Sequence, residues 1–228
     1  MECFQSCFPC IYRNYNSDSN NESENYSDIL RLKDIIKIDT SGKRKKYEYN
    51  GEQINKLELK NTEQYVKVID IYDADTITCV LFYRNIPNIV KLRLDGIDAP
   101  ELKPKSGTDN EIIKEKALSI ISKIALMKLI KNTDNIIYIR TKGSEKYGRT
   151  LANLYSDHTT GKSFNQILID LKLADSYKGK TKEKNFKKQY LNLRDSNGII
   201  NLYENKDNSF DEIFNFINEI FPLKKCLL

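Results

Sequence analysis

Tryptophan is absent from the 228 residues, histidine occurs once and methionine twice. Hydrolytic sites that draw a general base, a nucleophile or several metal ligands from histidine would need more than His158. No apolar run approaches the roughly 20 residues of a membrane-spanning helix. The first residues lack the apolar core of a secretory signal. Cysteine is sparse: Cys3, Cys7, Cys10, Cys79 and Cys226 make an odd set with no framework spacing. They read as reduced thiols, so an intracellular, cytoplasmic setting is expected. No internal repeat is visible. What is present is charge, at 30% of residues, with a formal net charge of +5. That balance permits a polyanionic partner without requiring one.

Cys3, Cys7 and Cys10 sit among Phe4, Phe8, Pro9, Ile11 and Tyr12. Three readings stay open for them. They could carry acyl chains and dock this end on a membrane. They could bind zinc, although a fourth ligand is missing nearby. They could be thiols in a disordered tail. Glu2 excludes N-myristoylation. Residues 14–27, dominated by Asn, Ser, Asp, Glu and Tyr, have the composition of a disordered linker. Ile29, Leu32, Ile35 and Ile36 then follow at helical spacing, so a helix is expected over 28–38, with Ser27 as its cap. Lys43-Arg44-Lys45-Lys46 is a basic loop that could touch nucleic acid or simply be solvated.

A compact domain is expected from residue 62. Strands are predicted over 65–72, 76–83 and 89–94, as an antiparallel meander with Asp73-Ala74-Asp75 as its first turn. A helix follows over 109–131, then strands over 135–141 and 149–155, with a turn at 143–148 between them. Ser163 caps a helix reaching Leu171. Five strands interrupted by a helix predict a small closed barrel of the oligonucleotide-binding type, mainly β in an α+β class, with about three packed helices. A final amphipathic helix is expected over 210–221, joined through Asp195-Ser196-Asn197-Gly198. The expected division is 1–61 as a largely disordered extension with the cysteine cluster, 62–195 as the barrel domain, and 196–228 as a helical extension.

Three stretches carry the chemistry: Asp73-Ala74-Asp75-Thr76, Arg93 to Glu101, and Glu145-Lys146-Tyr147-Gly148-Arg149. Asp73 and Asp75 lie in a turn and Asp98 at a strand end. Oxygen ligands so placed suit Ca²⁺ or Mg²⁺, and the absence of nearby His or Cys argues against zinc. Turn formation alone also explains the two aspartates. Glu101 follows Pro100, and its carboxylate can accept a proton from water. A surface glutamate after proline is the plainer alternative. Arg93 and Arg149 can each grip two phosphoryl oxygens, or can pair with a barrel carboxylate such as Asp95. The lysines at 178, 180, 182, 184, 187 and 188 can attract a phosphate backbone or form a solvated face.

Together the three stretches resemble the staphylococcal nuclease (thermonuclease) family. Asp73-Ala74-Asp75-Thr76 is similar to its D-G-D-T turn, Arg93 to Glu101 to its R-x4-D-x-P-E segment, and Lys146-Tyr147-Gly148-Arg149 to its K-Y-G-R segment. The order and intervals agree over residues 62–195. The resemblance implies a five-stranded oligonucleotide-binding barrel with three helices. It also implies a Ca²⁺-dependent phosphodiesterase that cuts DNA and RNA to products ending in 3′-phosphate. One ion would be held by Asp75, Asp98 and the backbone carbonyl of Ala99, with Asp73 behind them. Glu101 would be the general base, and Arg93 and Arg149 would clamp the scissile phosphate. Tyr147 would bind the terminal phosphate and Tyr177 would stack on the base.

The pattern departs from the family at Ala74, which replaces a turn glycine, and at Ala99, which replaces a common threonine. A positive φ at Ala74 would cost near 1 kcal/mol. The alternative function is an inactive barrel that binds single-stranded nucleic acid or protein. A third possibility pairs Asp75 with Glu101-Leu102-Lys103, in the acidic–acidic–lysine pattern of another nuclease class. That pattern needs Glu101 within a strand, which Pro100 disfavours. The expected enzyme is a monomer acting on DNA or RNA.

Overall fold

The computed structural model describes residues 29–38, 46–50, 52–53, 55–56, 59–145, 148–177 and 195–220. Cys3, Cys7, Cys10, Tyr147 and the lysines of 178–188 lie outside the described residues, as do residues 14–27 and 43–45. In chain order the elements begin with helix α1 (29–33) and the short strands β1 (Ile36–Ile38), β2 (Lys46–Tyr49), β3 (Glu52–Gln53) and β4 (Asn55–Lys56). Strands β5 (Glu63–Asp73), β6 (Thr76–Tyr83), β7 (Ile86–Leu94) and β8 (Ile97–Asp98) follow, and then helix α2 (Asp109–Lys131). Strands β9 (Ile136–Ser144) and β10 (Thr150–Tyr155), helix α3 (Phe164–Asp170) and strand β11 (Asp175–Ser176) come next. Helices α4 (Ser196–Glu204) and α5 (Phe210–Ile220) end the described chain.

Strands β5, β6 and β7 form the expected antiparallel meander. Strand β9 pairs antiparallel with β5 and with β10, and β10 returns to pair parallel with β7. This last pairing closes a five-stranded mixed barrel, and the fold class is the one expected from the sequence. Closure removes the free edges that an open sheet would present.

The barrel interior follows from alternation. Ile77, Cys79 and Leu81 on β6 meet Val90, Leu92 and Leu94 on β7, with Val66 and Val68 from β5 and Ile137 and Ile139 from β9. Val80 and Phe82 point the other way, yet both are buried. They belong to a second apolar cluster with Leu32, Ile35, Tyr65 and Ile136, which covers the outside of β5 and β6. Of the helix expected over 28–38, the described part, 29–38, is therefore not one helix. It is helical over 29–33 and extended over Ile36–Ile38, where β1 pairs with β2. Its isoleucines are spaced for either structure, and the pairing with β2 decides.

Helix α2 opens on a capping box. Thr108 accepts from the Glu111 N–H, and the Glu111 carboxylate accepts from the Thr108 N–H at 2.9 Å. Such a cap contributes about 1 kcal/mol. The helix is buried on nearly every side because it packs on β5, α3 and α4. Asp195 caps α4 in the left-handed conformation, accepting from the Gly198 N–H at 2.9 Å. A Cβ at Gly198 would run into that carboxylate. The segment expected as a connector, 195–198, is thus the cap and first turn of a helix. Ile199, Ile213, Phe214 and Ile217 join the same apolar cluster as the barrel. Each such burial stabilises by about 1.5–3 kcal/mol. Lys131 lies 4.0 Å from the Phe210 ring centroid, which adds a cation–π contact between α2 and α5. Among the described residues no helix is long and apolar enough to cross a membrane.

Candidate active site

Strand register sets the site. Thr76 on β6 faces Arg93 on β7, and Arg93 faces Leu151 on β10, one residue after the strand's first. Arg93 points outward because Leu92 and Leu94 on either side enter the core. Its guanidinium spans two aspartates. Nη1 lies 2.7 Å from Asp75 Oδ2, and Nη2 lies 3.5 Å from Asp98 Oδ1. Nη2 also donates to the Ile97 carbonyl at 3.4 Å. Asp75 and Asp98 are both buried. Removing the arginine from such a set leaves buried carboxylates facing each other, at a cost of ~3–5 kcal/mol.

Asp75 is held on three further sides. Its carbonyl accepts from the Leu94 N–H at 2.8 Å. Its Oδ1 accepts from the Thr76 hydroxyl at 2.8 Å. Its own N–H donates to Asp73 Oδ1 at 3.1 Å. Burial first, and then the charge of Asp75, pushes the Asp73 carboxyl up to about 7. The turn that joins them is tight, with Asp73 paired to Thr76. Ala74 is fully buried in it and is not among the residues of positive φ. The glycine conformation that alanine would resist is not used here, so the expected cost near 1 kcal/mol does not arise.

Arg149 enters from the β9–β10 connection. That connection turns on Gly148 at φ 71, where a side chain would be strained. The Gly148 N–H donates to the Glu145 carbonyl at 2.9 Å, and the Glu145 N–H donates to the Arg149 carbonyl at 2.9 Å. Arg149 Nε pairs with the Glu145 carboxylate, and Nη1 donates to the Thr76 hydroxyl at 3.1 Å. Thr76 therefore links Arg149 to Asp75. The result is one polar network running Asp98–Arg93–Asp75–Thr76–Arg149–Glu145.

Asp73, Asp75, Asp98, Arg93 and Arg149 are thus brought together. Glu101 is exposed in the loop after β8, between Pro100 and the cap of α2. Its N–H donates to the buried Glu115 carboxylate at 3.4 Å. Because Glu101 lies outside any strand, the acidic–acidic–lysine reading loses its basis. Ala99 is buried next to Asp98. Tyr177 is half-buried, and its N–H donates to the Gly96 carbonyl at 2.8 Å. That bond continues the β8–β11 pairing, which sets Asp175 opposite Asp98. Asp95 is paired with Lys142 at 2.7 Å and not with either arginine.

Three polar residues of the site had no role in the sequence reading. Thr76 lies inside the first motif but looked like a strand start. Glu145 is four residues before Arg149, a spacing that only the turn at Gly148 makes productive. Glu115 is hidden in an apolar helical pattern.

Among the described residues no group of three or more His, Cys, Asp and Glu side chains gathers as a metal site. The donor chemistry nevertheless suits a hard cation. Asp73, Asp75, Asp98 and Glu145 set four carboxylates against the two guanidiniums of Arg93 and Arg149. The excess is negative, and every donor is oxygen, as Ca²⁺ and Mg²⁺ prefer.

Residues 91–197 match the family model described as staphylococcal nuclease homologue. The match spans Arg93, Asp98, Glu101 and Arg149, and begins after the Asp73–Asp75 turn. Among curated proteins none matches the chain.

Proposed function

We propose, from a chain that carries a domain of the staphylococcal nuclease homologue family over residues 91–197, that the protein is a Ca²⁺-dependent endonuclease. It hydrolyses phosphodiester bonds of DNA, RNA or both, leaving 3′-phosphate ends. The nuclease unit of this reading is residues 62–195, with extensions on both sides. The observation that carries the reading is the span of Arg93 across Asp75 and Asp98, with Arg149 reaching Thr76 beside them.

Asp75, Asp98 and the Ala99 carbonyl would hold the ion, with Asp73 supporting Asp75 through its N–H. When bound, calcium supplies positive charge against the phosphate oxygens. Arg93 and Arg149 grip non-bridging oxygens of the scissile phosphate. A guanidinium carries five N–H donors, so Arg93 can keep its two carboxylate partners and Arg149 its one while they take up substrate. Glu101, exposed at the rim, orients the attacking water and accepts its proton. Tyr147 takes the terminal phosphate, and Tyr177, fixed to Gly96 by its backbone, stacks on the base.

The test is digestion of plasmid DNA and of RNA with Ca²⁺, with Mg²⁺, or with a chelator. Cleavage with Ca²⁺, its loss with chelator, and ends that a polymerase extends only after phosphatase treatment are expected. No metal-dependent cleavage of either nucleic acid would sink the proposal.

Peripheral membrane attachment through acylated Cys3, Cys7 and Cys10, in an otherwise monomeric protein, is part of the same reading. The three cysteines cluster beside aromatic residues. Changing all three to serine is expected to move the protein from the membrane fraction of cells to the soluble one. A wild-type protein already fully soluble there would end the idea.

A further inference from the structure

We propose that Tyr72, Thr78 and Lys91 form a platform for the next nucleotide of a single strand whose scissile phosphate lies on Arg93 and Arg149. The inference rests on the nuclease reading for where the strand comes from, and on its own geometry for the platform.

The outward faces of β6 and β7 are continuous with the clamp. Because Ile77, Cys79, Val90, Leu92 and Leu94 enter the core, Thr76, Thr78, Lys91 and Arg93 face out. Thr76 pairs with Arg93, and Thr78 pairs with Lys91. Lys91 and Arg93 are two residues apart on one face, so their Cα atoms are about 7 Å apart. That step suits successive phosphates of an extended strand.

Tyr72 enters this face through a bulge. Ile71 faces Ile77 and Asp73 faces Thr76, so Tyr72 is the extra residue on β5. Bulges beside active sites re-aim a side chain. Tyr72 is 57% exposed, and Lys91 Nζ lies 5.6 Å from its ring centroid. Burial does not explain an aromatic in this position. Farther along the same strands, Val80, Phe82 and Ile89 are covered by Leu32, Ile35 and Tyr49. Among the described residues that cover stops before Thr78 and Lys91. The half-buried Asp70 faces Thr78 from β5 and brings a carboxylate to the patch. Lys91 offsets it, and the exposed ring beside the Lys91 ammonium is what suits a nucleotide, with a base on the ring and a phosphate on the ammonium.

Every base has a π-face, so a stacking tyrosine beside a lysine is tolerant of sequence. The bases of a single strand are free to stack on it, and those of a duplex are not. The occupant is therefore single-stranded DNA or RNA.

The experiment uses the full chain carrying Glu101→Ala, with Ca²⁺ and fluorescent single-stranded DNA or RNA oligonucleotides, read by anisotropy. Tyr72→Ala is expected to weaken binding roughly tenfold or more. Tyr72→Phe should bind like its parent, because stacking does not use the hydroxyl. Lys91→Ala should weaken binding and reduce the slope of log K against log salt by about 0.7. Binding by Tyr72→Ala and Lys91→Ala as tight as the parent's overturns the platform. Equal weakening by Tyr72→Phe and Tyr72→Ala also overturns it. Wild-type protein that cleaves nothing, yet binds oligonucleotides in a Tyr72-dependent way, overturns the nuclease reading and leaves the platform standing.

Discussion

Glu101→Ala is expected to hydrolyse DNA and RNA about 10²–10⁴-fold more slowly than the parent chain, while its affinity for nucleic acid stays unchanged. The expectation combines an exposed carboxylate with a fixed backbone. Glu101 is exposed, so its removal opens no cavity in the core. The loop that carries it is fixed from both sides. Asp98 before it is tied to Arg93, and its own N–H donates to Glu115, which is buried in α2. The alanine variant keeps that backbone bond and loses the group that would accept a proton. Single-turnover rates on a short oligonucleotide, set beside equilibrium binding of the same oligonucleotide, separate the two effects. A rate within a few-fold of the parent's would show that the proton goes elsewhere. Glu101→Gln refines the result. The amide occupies the same volume and can still accept a hydrogen bond, yet it is a far weaker base. A rate as low as the alanine variant's assigns the loss to proton transfer.

Much of this arrangement is legible in the sequence, and the parts that are not share a physical cause. Strand 76–83 and helix 109–131 are read with their observed bounds because alternation on β6 and the helical spacing of apolar residues on α2 are local signals. The intervals between motifs picked out Asp75, Arg93, Asp98 and Arg149, which the fold brings into one network. What escaped is what depends on pairing between distant segments. Ile36–Ile38 becomes a strand only because β2 lies beside it. Thr76 becomes a link between Asp75 and Arg149 only once β6, β7 and β10 close the barrel. Tyr72 is ordinary in a strand of Val, Ile and Tyr until the β5–β6 register makes it the bulged residue. Arg149 finds Glu145 rather than a barrel carboxylate because the turn at Gly148 folds the two back on each other, while Asp95 is taken by Lys142.

The second large effect is expected at Arg149. Arg149→Lys should lower the turnover number by about 10²–10³-fold, with little change in melting temperature. Arg93 is the less informative target, because it spans the buried Asp75 and Asp98. Replacing it would disturb the fold by ~3–5 kcal/mol and confuse lost chemistry with lost structure. Arg149 is partly exposed and its carboxylate partner, Glu145, lies in its own turn. Lysine keeps a positive charge opposite that carboxylate, so no buried charge is left unpaired and the variant should stay folded. The chemistry is less forgiving. Arg149 uses Nε for Glu145 and Nη1 for Thr76, which leaves further donors on the same plane for phosphate oxygens. A lysine ammonium is a single point on a flexible stem. It cannot hold Glu145, reach Thr76 and grip two oxygens at once. Turnover near the parent's in Arg149→Lys would remove Arg149 from the phosphate, and would leave its bond to Thr76 as a purely structural brace between β6 and the β9–β10 connection.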